Sequence, residues 1–340
     1  MSKNYYIIPI FVPHEGCPHN CVFCNQDRIT GVKDRVDAEK VKNIIEEYYE
    51  TIENKEATIE VSFFGGTFTA IREEKQKELL EVAKKYKDLG VVQKIRMSTR
   101  PDYINDYILT YLKDYSVDII ELGIQSLDEE VLLAAGRGHS VSDVINASKL
   151  IKKYGITLGH QLMPGLPKST PEKDIKSAID SIKMEPDIVR IYPSLVIKDT
   201  PMEIMYKRGD YSPYTLDMAV EVSKKIYNMF NEKGINVIRI GLQPTETINE
   251  GGDIIAGPFH PAFRELVESS LILDKIKENV SSKNFELLVN SKDVSKLYAN
   301  KKVYFNKLKE DGYSANVKIT DEVKRGTIII KDKTEKKITI

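Results

Sequence analysis

Apolar residues fall along this chain in short runs separated by stretches of helical period. The runs at 5–12, 58–64, 93–97, 117–124, 156–162 and 187–192 are dense in Ile, Val, Leu and Phe, and runs of that length bounded by turn residues read as buried strands. Between them lie amphipathic stretches. The one at 37–49 opens on an Asp suited to capping a helix, those at 73–86 and 171–183 have the helical period, helical segments fill the interval up to 153, and a longer one covers 214–233. Six strand-then-helix units with strands too apolar for a solvated face predict a parallel sheet with helical crossovers. A doubly wound sheet and a barrel both satisfy that pattern.

The unusual residues decide between them. Gly65-Gly66-Thr67-Phe68, Ser98-Thr99-Arg100-Pro101, Gln125-Ser126, Met163-Pro164-Gly165-Leu166-Pro167 and Tyr192-Pro193-Ser194 each follow the C-terminal end of a predicted strand. In α/β barrels that edge carries the active site, so the expected fold is a barrel with its mouth at these loops. Beyond it, "FELLVN", "ANVKI", "TIIIK" and "KITI" alternate with lysines and predict a small α/β extension. The expected domains are 1–273 and 274–340.

With 340 residues, 41% hydrophobic and 30% charged, the composition is that of a soluble globular protein with one large domain and an appendage. The run at 5–12 is broken by Pro9, lacks a small-residue cleavage site and is too short to span a bilayer; no membrane association is expected. A net charge of −1 argues against a wholly basic nucleic-acid binder. From Asp274 onward, however, Lys and Arg exceed Asp and Glu by about 6. Tyr298, Tyr304, Phe305 and Tyr313 offer stacking groups in this basic segment.

All three cysteines, Cys17, Cys21 and Cys24, lie in one stretch. Packed so closely they cannot make a disulfide framework, which points to a reducing, cytoplasmic home. Three thiolates leave a four-coordinate metal or cluster one ligand short, and open positions usually serve chemistry. At this level a cluster, a zinc site completed by His14 or His19, and inert thiols all remain open. Gly65-Gly66-Thr67 frees the backbone for close approach to a ligand. Arg100 can grip a carboxylate or phosphate in bidentate fashion. Glu121 and Gln125 lie four apart on one strand, hence on one side of it, and their burial calls for partners. The same logic singles out His160 and Gln161, and, on the sixth strand, Arg190 and Tyr192.

The Cys-x3-Cys-x2-Cys spacing, with Phe23 as the aromatic residue before the third cysteine, resembles the radical S-adenosylmethionine (radical SAM) superfamily. The segments "VSFFGGTFTAI", "STRPDYI", "ELGIQSLDEEVL", "MPGLPKST", "RIYPSLVIKDTPMEIMYKRGDYSPY" and "GPFHPAFRELVES" are similar to the radical SAM domain of the catalytic subunit of Elongator. "GIQSLDEEVLLAAGRGH" is also similar to oxygen-independent coproporphyrinogen oxidases. The resemblance implies a partial (β/α)6 TIM-type barrel and a 4Fe-4S cluster on Cys17, Cys21 and Cys24, with S-adenosylmethionine (SAM) chelating the open iron. It implies SAM contacts from Phe23, Gly65, Gly66, Thr67, Arg100, Glu121, Gln125, His160 and Gln161, and substrate contacts from Arg190 and Tyr192. The implied activity is reductive cleavage of SAM to a 5′-deoxyadenosyl radical for RNA, notably tRNA, modification, with a ferredoxin or flavodoxin type electron donor. Rival expectations are a small-molecule enzyme of the coproporphyrinogen oxidase type and a non-catalytic carrier of cluster and SAM. The chain departs from Elongator in a shorter interval between the first two cysteines, in Ser98 where Glu is common, and in a C-terminal part too small for an acetyltransferase domain.

Overall fold

The computed structural model describes residues 4–12, 15, 17, 19–25, 35–245, 247–249 and 251–340. His14, one of the two histidines weighed as a zinc ligand, lies outside them.

Seven parallel strands make one curled sheet. They are β1 (Tyr5–Val12), β2 (Thr58–Gly65), β3 (Lys94–Thr99), β4 (Ile119–Gln125), β5 (Thr157–Leu162), β6 (Ile188–Ile191) and, beyond the short β7 (Val196–Ile197), β8 (Asn236–Ile240), in the order β1-β2-β3-β4-β5-β6-β8. This is the expected partial α/β barrel with a seventh strand added. The six expected strands all form. Between them run helices α1 (Ala38–Thr51), α2 (Glu73–Asp88), α3 (Asp106–Asp114), α4 (Glu129–Ala134), α5 (Val141–Lys153) and α6 (Pro171–Lys183), followed by α7 (Pro201–Arg208) and α8 (Leu216–Glu232). Their starts are written in the sequence. Asp37, Asn105, Asp128, Thr170, Thr200 and Thr215 each accept a hydrogen bond from a first-turn amide, and Ser140 with Asp143 forms a full capping box.

Register places Glu60, Arg96, Glu121, Gly159, Gln161 and Arg190 on one side of the sheet and Val61, Met97, Leu122, Leu158, His160 and Val189 on the other. The second set packs against the helices in the main apolar core, and burying it is what drives the sheet and helices together. The first set faces the hollow of the curl. The strands therefore alternate apolar and polar, rather than being apolar on both faces as their composition suggested.

After a two-stranded antiparallel pairing of β7 with β9 (Ile254–Ala256), helix α9 (Phe263–Asn279) runs unbroken through position 273/274. The remainder is an α/β unit: β10 (Asn284–Val289), α10 (Val294–Leu297), α11 (Ala299–Glu310), β11 (Ser314–Ile319), β12 (Thr327–Lys331) and β13 (Glu335–Thr339), with strand order β11-β10-β12-β13. Tyr304 and Phe305 are buried in the core, while Tyr298 and Tyr313 are half-buried with Lys302 and Lys283 over their rings. Only the latter two sit where a stacking role can be considered.

Candidate active site

The cysteine loop leaves the C-terminal end of β1 and is pinned from several sides. Gly66 donates its amide to the Val12 carbonyl at 3.0 Å, and a Cβ on Gly66 would meet the Glu15 carbonyl oxygen at 2.3 Å. The double glycine thus lets the loop backbone lie directly on the end of β2, a contact any larger residue blocks. Thr67, buried beside it, has its Oγ1 3.4 Å from the Cys17 Sγ. Glu15 is tied to Lys75 of α2 by an ion pair of 2.7 Å. Further along, Val22 donates to the Ala135 carbonyl at 3.0 Å and accepts from the Met202 amide at 2.8 Å. Phe23 and Cys21 are buried with Val131, Ala135, Leu166, Val196, Met202 and Tyr211 in a small apolar cluster. Phe23 is thereby an anchor of the loop.

Sequence reasoning overlooked Arg137, although the stretch containing it had been recognised. It is 6% exposed, and its Nη1 donates to Cys21 Sγ at 3.2 Å while Nη2 donates to the Gly123 carbonyl of β4 at 2.6 Å. A guanidinium stays charged under all ordinary conditions and stabilises negative charge on the sulfur it touches. The run Gly136-Arg137-Gly138 was the signal: an arginine between two glycines of positive φ marks a backbone shaped to deliver one side chain.

Inside the curl the polar strand residues form one chain of alternating charge. Tyr5 donates to Glu60, which also accepts from Ser62 at 2.5 Å. Arg96 donates from Nη2 to Glu60 at 2.9 Å and from Nη1 to Glu121 at 3.1 Å; its Nε lies 2.7 Å from Glu60 without the alignment of a hydrogen bond. Arg190 donates from Nε to Glu121 at 2.6 Å and from Nη1 to the Tyr192 hydroxyl at 3.0 Å, with its guanidinium carbon 5.2 Å from the Phe64 ring centre. Burial by itself lowers the pKa of both guanidiniums, because it disfavours the charged form. The carboxylates more than offset it, Glu121 first and then Glu60 for Arg96, Glu121 and then Tyr192 for Arg190, and both cations titrate above the ordinary range. Glu60, Arg96 and Tyr5 were not anticipated, although a charge inside an apolar strand run was the available clue. Nearer the mouth, Gln161 Nε2 donates to Gln125 Oε1 at 3.1 Å.

Two of the expected SAM contacts have partners within the protein. His160 is fully buried on the helix side of β5, its ring bridging Ser148 of α5 at 2.9 Å and Ser181 of α6 at 2.8 Å. Adjacent strand residues face opposite sides, so His160 and Gln161 cannot share a site; burial lowers the His160 pKa to about 3. Arg100 does make a bidentate grip, at 3.0 and 2.9 Å, but on Asp102 two residues away. Its fork is occupied within its own turn. Glu121 and Arg190 do lie in the hollow, with each other as partners.

The mouth loop at 163–167 is fixed from outside. Gly165, with φ of +83°, donates to Asp174 at 2.9 Å, Asp174 also accepts from Tyr214 and Ser169, and Tyr211 donates to the Gly165 carbonyl at 2.6 Å. Burial raises the Asp174 pKa to about 6 against these hydrogen bonds.

The donor set suits an iron–sulfur cluster. Three cysteines share one pinned loop, and a buried cation donates to the Cys21 sulfur. His19, exposed, lies on Gly138, whose added Cβ would stand 2.5 Å from its ring.

Comparison with known proteins agrees with this arrangement. The Radical SAM superfamily model matches residues 11–181, and the Radical_SAM C-terminal domain model matches 186–272. Over 184 residues the chain is 36% identical to a tRNA uridine(34) acetyltransferase of Methanocaldococcus infernus, covering 48% of this chain and 34% of that protein. Over 188 residues it is 29% identical to Elongator complex protein 3 of Homo sapiens, covering 49% and 34%. The solved structure of the archaeal Methanocaldococcus infernus Elp3 with an N-terminal deletion matches with a TM-score of 0.64 at 25% identity, over 82% of this chain and 64% of that one. The chain spans about a third of the length of these two curated relatives. With three cysteines on the mouth of a parallel partial barrel and a family match over half its length, the chain belongs to the radical SAM superfamily, whose enzymes use a 4Fe-4S cluster and SAM.

Proposed function

We propose that this enzyme modifies RNA, and tRNA in particular, with Cys17, Cys21 and Cys24 as the cluster ligands. The carrying observation is the seat of the cysteine loop: Gly66 lies under its first part, the Cys17 sulfur lies by Thr67 just after β2, and Arg137 joins the Cys21 sulfur to β4. Cys17, Cys21 and Cys24 would hold the cluster, which would supply the one-electron chemistry that cleaves SAM reductively for hydrogen abstraction from a substrate. This chain's residues do the rest. Gly65, Gly66 and Thr67 offer backbone and hydroxyl groups beside Cys17, and the Gln125–Gln161 pair offers amides across the mouth, for the methionyl and ribose parts of SAM. Glu121 lines the SAM side of the floor, Arg190 and Tyr192 its substrate side, and the pairing among the three keeps it rigid. Phe23 fixes the loop on which the ligands sit.

Support for a tRNA substrate comes from the relatives' names, which specify uridine 34 of tRNA, and from the lysine excess of the C-terminal unit, suited to phosphate backbones. A ferredoxin or flavodoxin type protein is the proposed electron donor. No helix among the described residues is long and apolar enough to cross a membrane.

Anaerobically reconstituted protein given dithionite and SAM is expected to release 5′-deoxyadenosine, and a failure to do so contradicts the catalytic reading. Binding to bulk tRNA is expected to weaken steeply with salt; no salt-sensitive binding contradicts the RNA assignment. Nucleoside mass spectrometry of tRNA from cells lacking the protein then identifies the modification.

A further inference from the structure

Arg137 is built into the fold with more care than a loop arginine needs. Its backbone is flanked by Gly136 and Gly138 at φ of +63° and +72°. A Cβ on Gly136 would stand 3.3 Å from the Asn20 carbonyl oxygen, and one on Gly138 would strike the His19 ring. Both glycines therefore lie directly against the cysteine loop. Its target is prepared as well: a Cβ on Gly123 would come within 3.4 Å of Arg137 Nη2 and 3.0 Å of Gln125 Nε2. Arg137 Nε and both ring nitrogens of the neighbouring His139, which is 5% exposed, make no hydrogen bond of ordinary geometry among the described residues. The side chain's strong interactions are thus the two that join Cys21 to β4.

We propose that Arg137 is a positioning residue that fixes the Cys21 sulfur and raises the reduction potential of the cluster bound there. This rests on the cluster reading above. The reduced cluster carries one more negative charge, spread onto its sulfurs, and hydrogen bonds to the ligating sulfurs together with local net charge are established controls of cluster potential. A buried, permanently charged N–H donor on one ligand stabilises the reduced form. It also makes the geometry of that ligand depend on β4, the strand that carries Glu121 and Gln125.

The test is an EPR-monitored redox titration of the anaerobically reconstituted full chain and its Arg137→Lys and Arg137→Met variants. Arg137→Met is expected to lower the reduced-to-oxidised ratio about tenfold at the wild-type midpoint, which for a one-electron couple is about 59 mV. Arg137→Lys is expected to fall between it and the wild type. Variants that carry the cluster at an unchanged midpoint overturn the proposal. Should neither variant load a cluster, wild-type protein labelled with 15N-arginine decides: pulsed EPR of the reduced cluster is expected to show coupling to a guanidinium nitrogen, and its absence overturns the proposal. Wild-type protein that assembles no 4Fe-4S cluster contradicts the cluster reading itself, an outcome distinct from an unchanged midpoint.

Discussion

Glu121 and Leu122 are neighbours on β4, yet they belong to two different kinds of interior. Leu122, on the helix side, is packed among apolar side chains whose value is the surface they remove from water. Glu121, on the hollow side and 3% exposed, holds Arg96 and Arg190 at hydrogen-bond distance in a chain of alternating charge from Tyr5 to Tyr192. The same division recurs on β5, where His160 is closed off between two serines and Gln161 donates to Gln125 of the adjacent β4. One face makes the fold stable. The other carries a costly polar network that a merely structural barrel has no need of, because well-packed apolar residues fill such a space at least as well.

Breaking each face in turn sharpens this contrast. The largest effect is expected from Glu121→Ala, which leaves Arg190 without its carboxylate and Arg96 with one of two; unpairing a buried ion network costs about 3–5 kcal/mol, measured as loss of unfolding free energy in urea. Leu122→Ala, on the opposite face, is expected to cost about 3 kcal/mol through the cavity it leaves, with far less effect on SAM binding than Glu121→Ala. If both variants weaken SAM binding equally, the two faces are not functionally distinct.

Acid gives a third test. Burial holds His160 and His139 near pKa 3, with Arg137 and Arg100 adding to the effect at His139, against an ordinary 6.5. The unfolded chain therefore binds protons that the folded chain refuses. Their contribution to stability is complete above about pH 6.5 and is lost as pH falls toward about 3, by up to about 1.4 kcal/mol per pH unit for each histidine. His160→Leu is expected to flatten this slope by one proton between pH 6 and 4. The smallest effect is reserved for ion pairs outside: Lys153→Ala, which removes an exposed pair with Asp106, is expected to change stability by less than about 0.5 kcal/mol.

How far the sequence could be read follows from the same two faces. Periodicity located the six expected strands, and the cap Asp37 located the start of the first helix, because those signals are local. The seventh strand, Asn236–Ile240, escaped notice: it is short and carries Arg239, which pairs in register with Arg190, so its apolar run looked too weak after a long helix. His160 was grouped with Gln161 because both are polar at a strand end, although strand alternation sends them to opposite sides. Arg100 was credited with an external carboxylate when Asp102 supplied one. Arg137 was missed for the converse reason: nothing local announces its partners, since Cys21 lies 116 residues away and only the folded chain brings them together. The three cysteines were visible as one group in the sequence, but their spacing left a cluster, a zinc site and inert thiols open until the resemblance of the rest of the chain was added.

The central claim is that Cys17, Cys21 and Cys24 carry a 4Fe-4S cluster whose open position faces SAM. EPR spectroscopy of the anaerobically reconstituted, dithionite-reduced chain tests it most directly, with and without SAM and beside Cys21→Ala. The account predicts a reduced 4Fe-4S signal that changes on adding SAM and is lost in Cys21→Ala. A 4Fe-4S signal that persists in Cys21→Ala, or one indifferent to SAM, would contradict it.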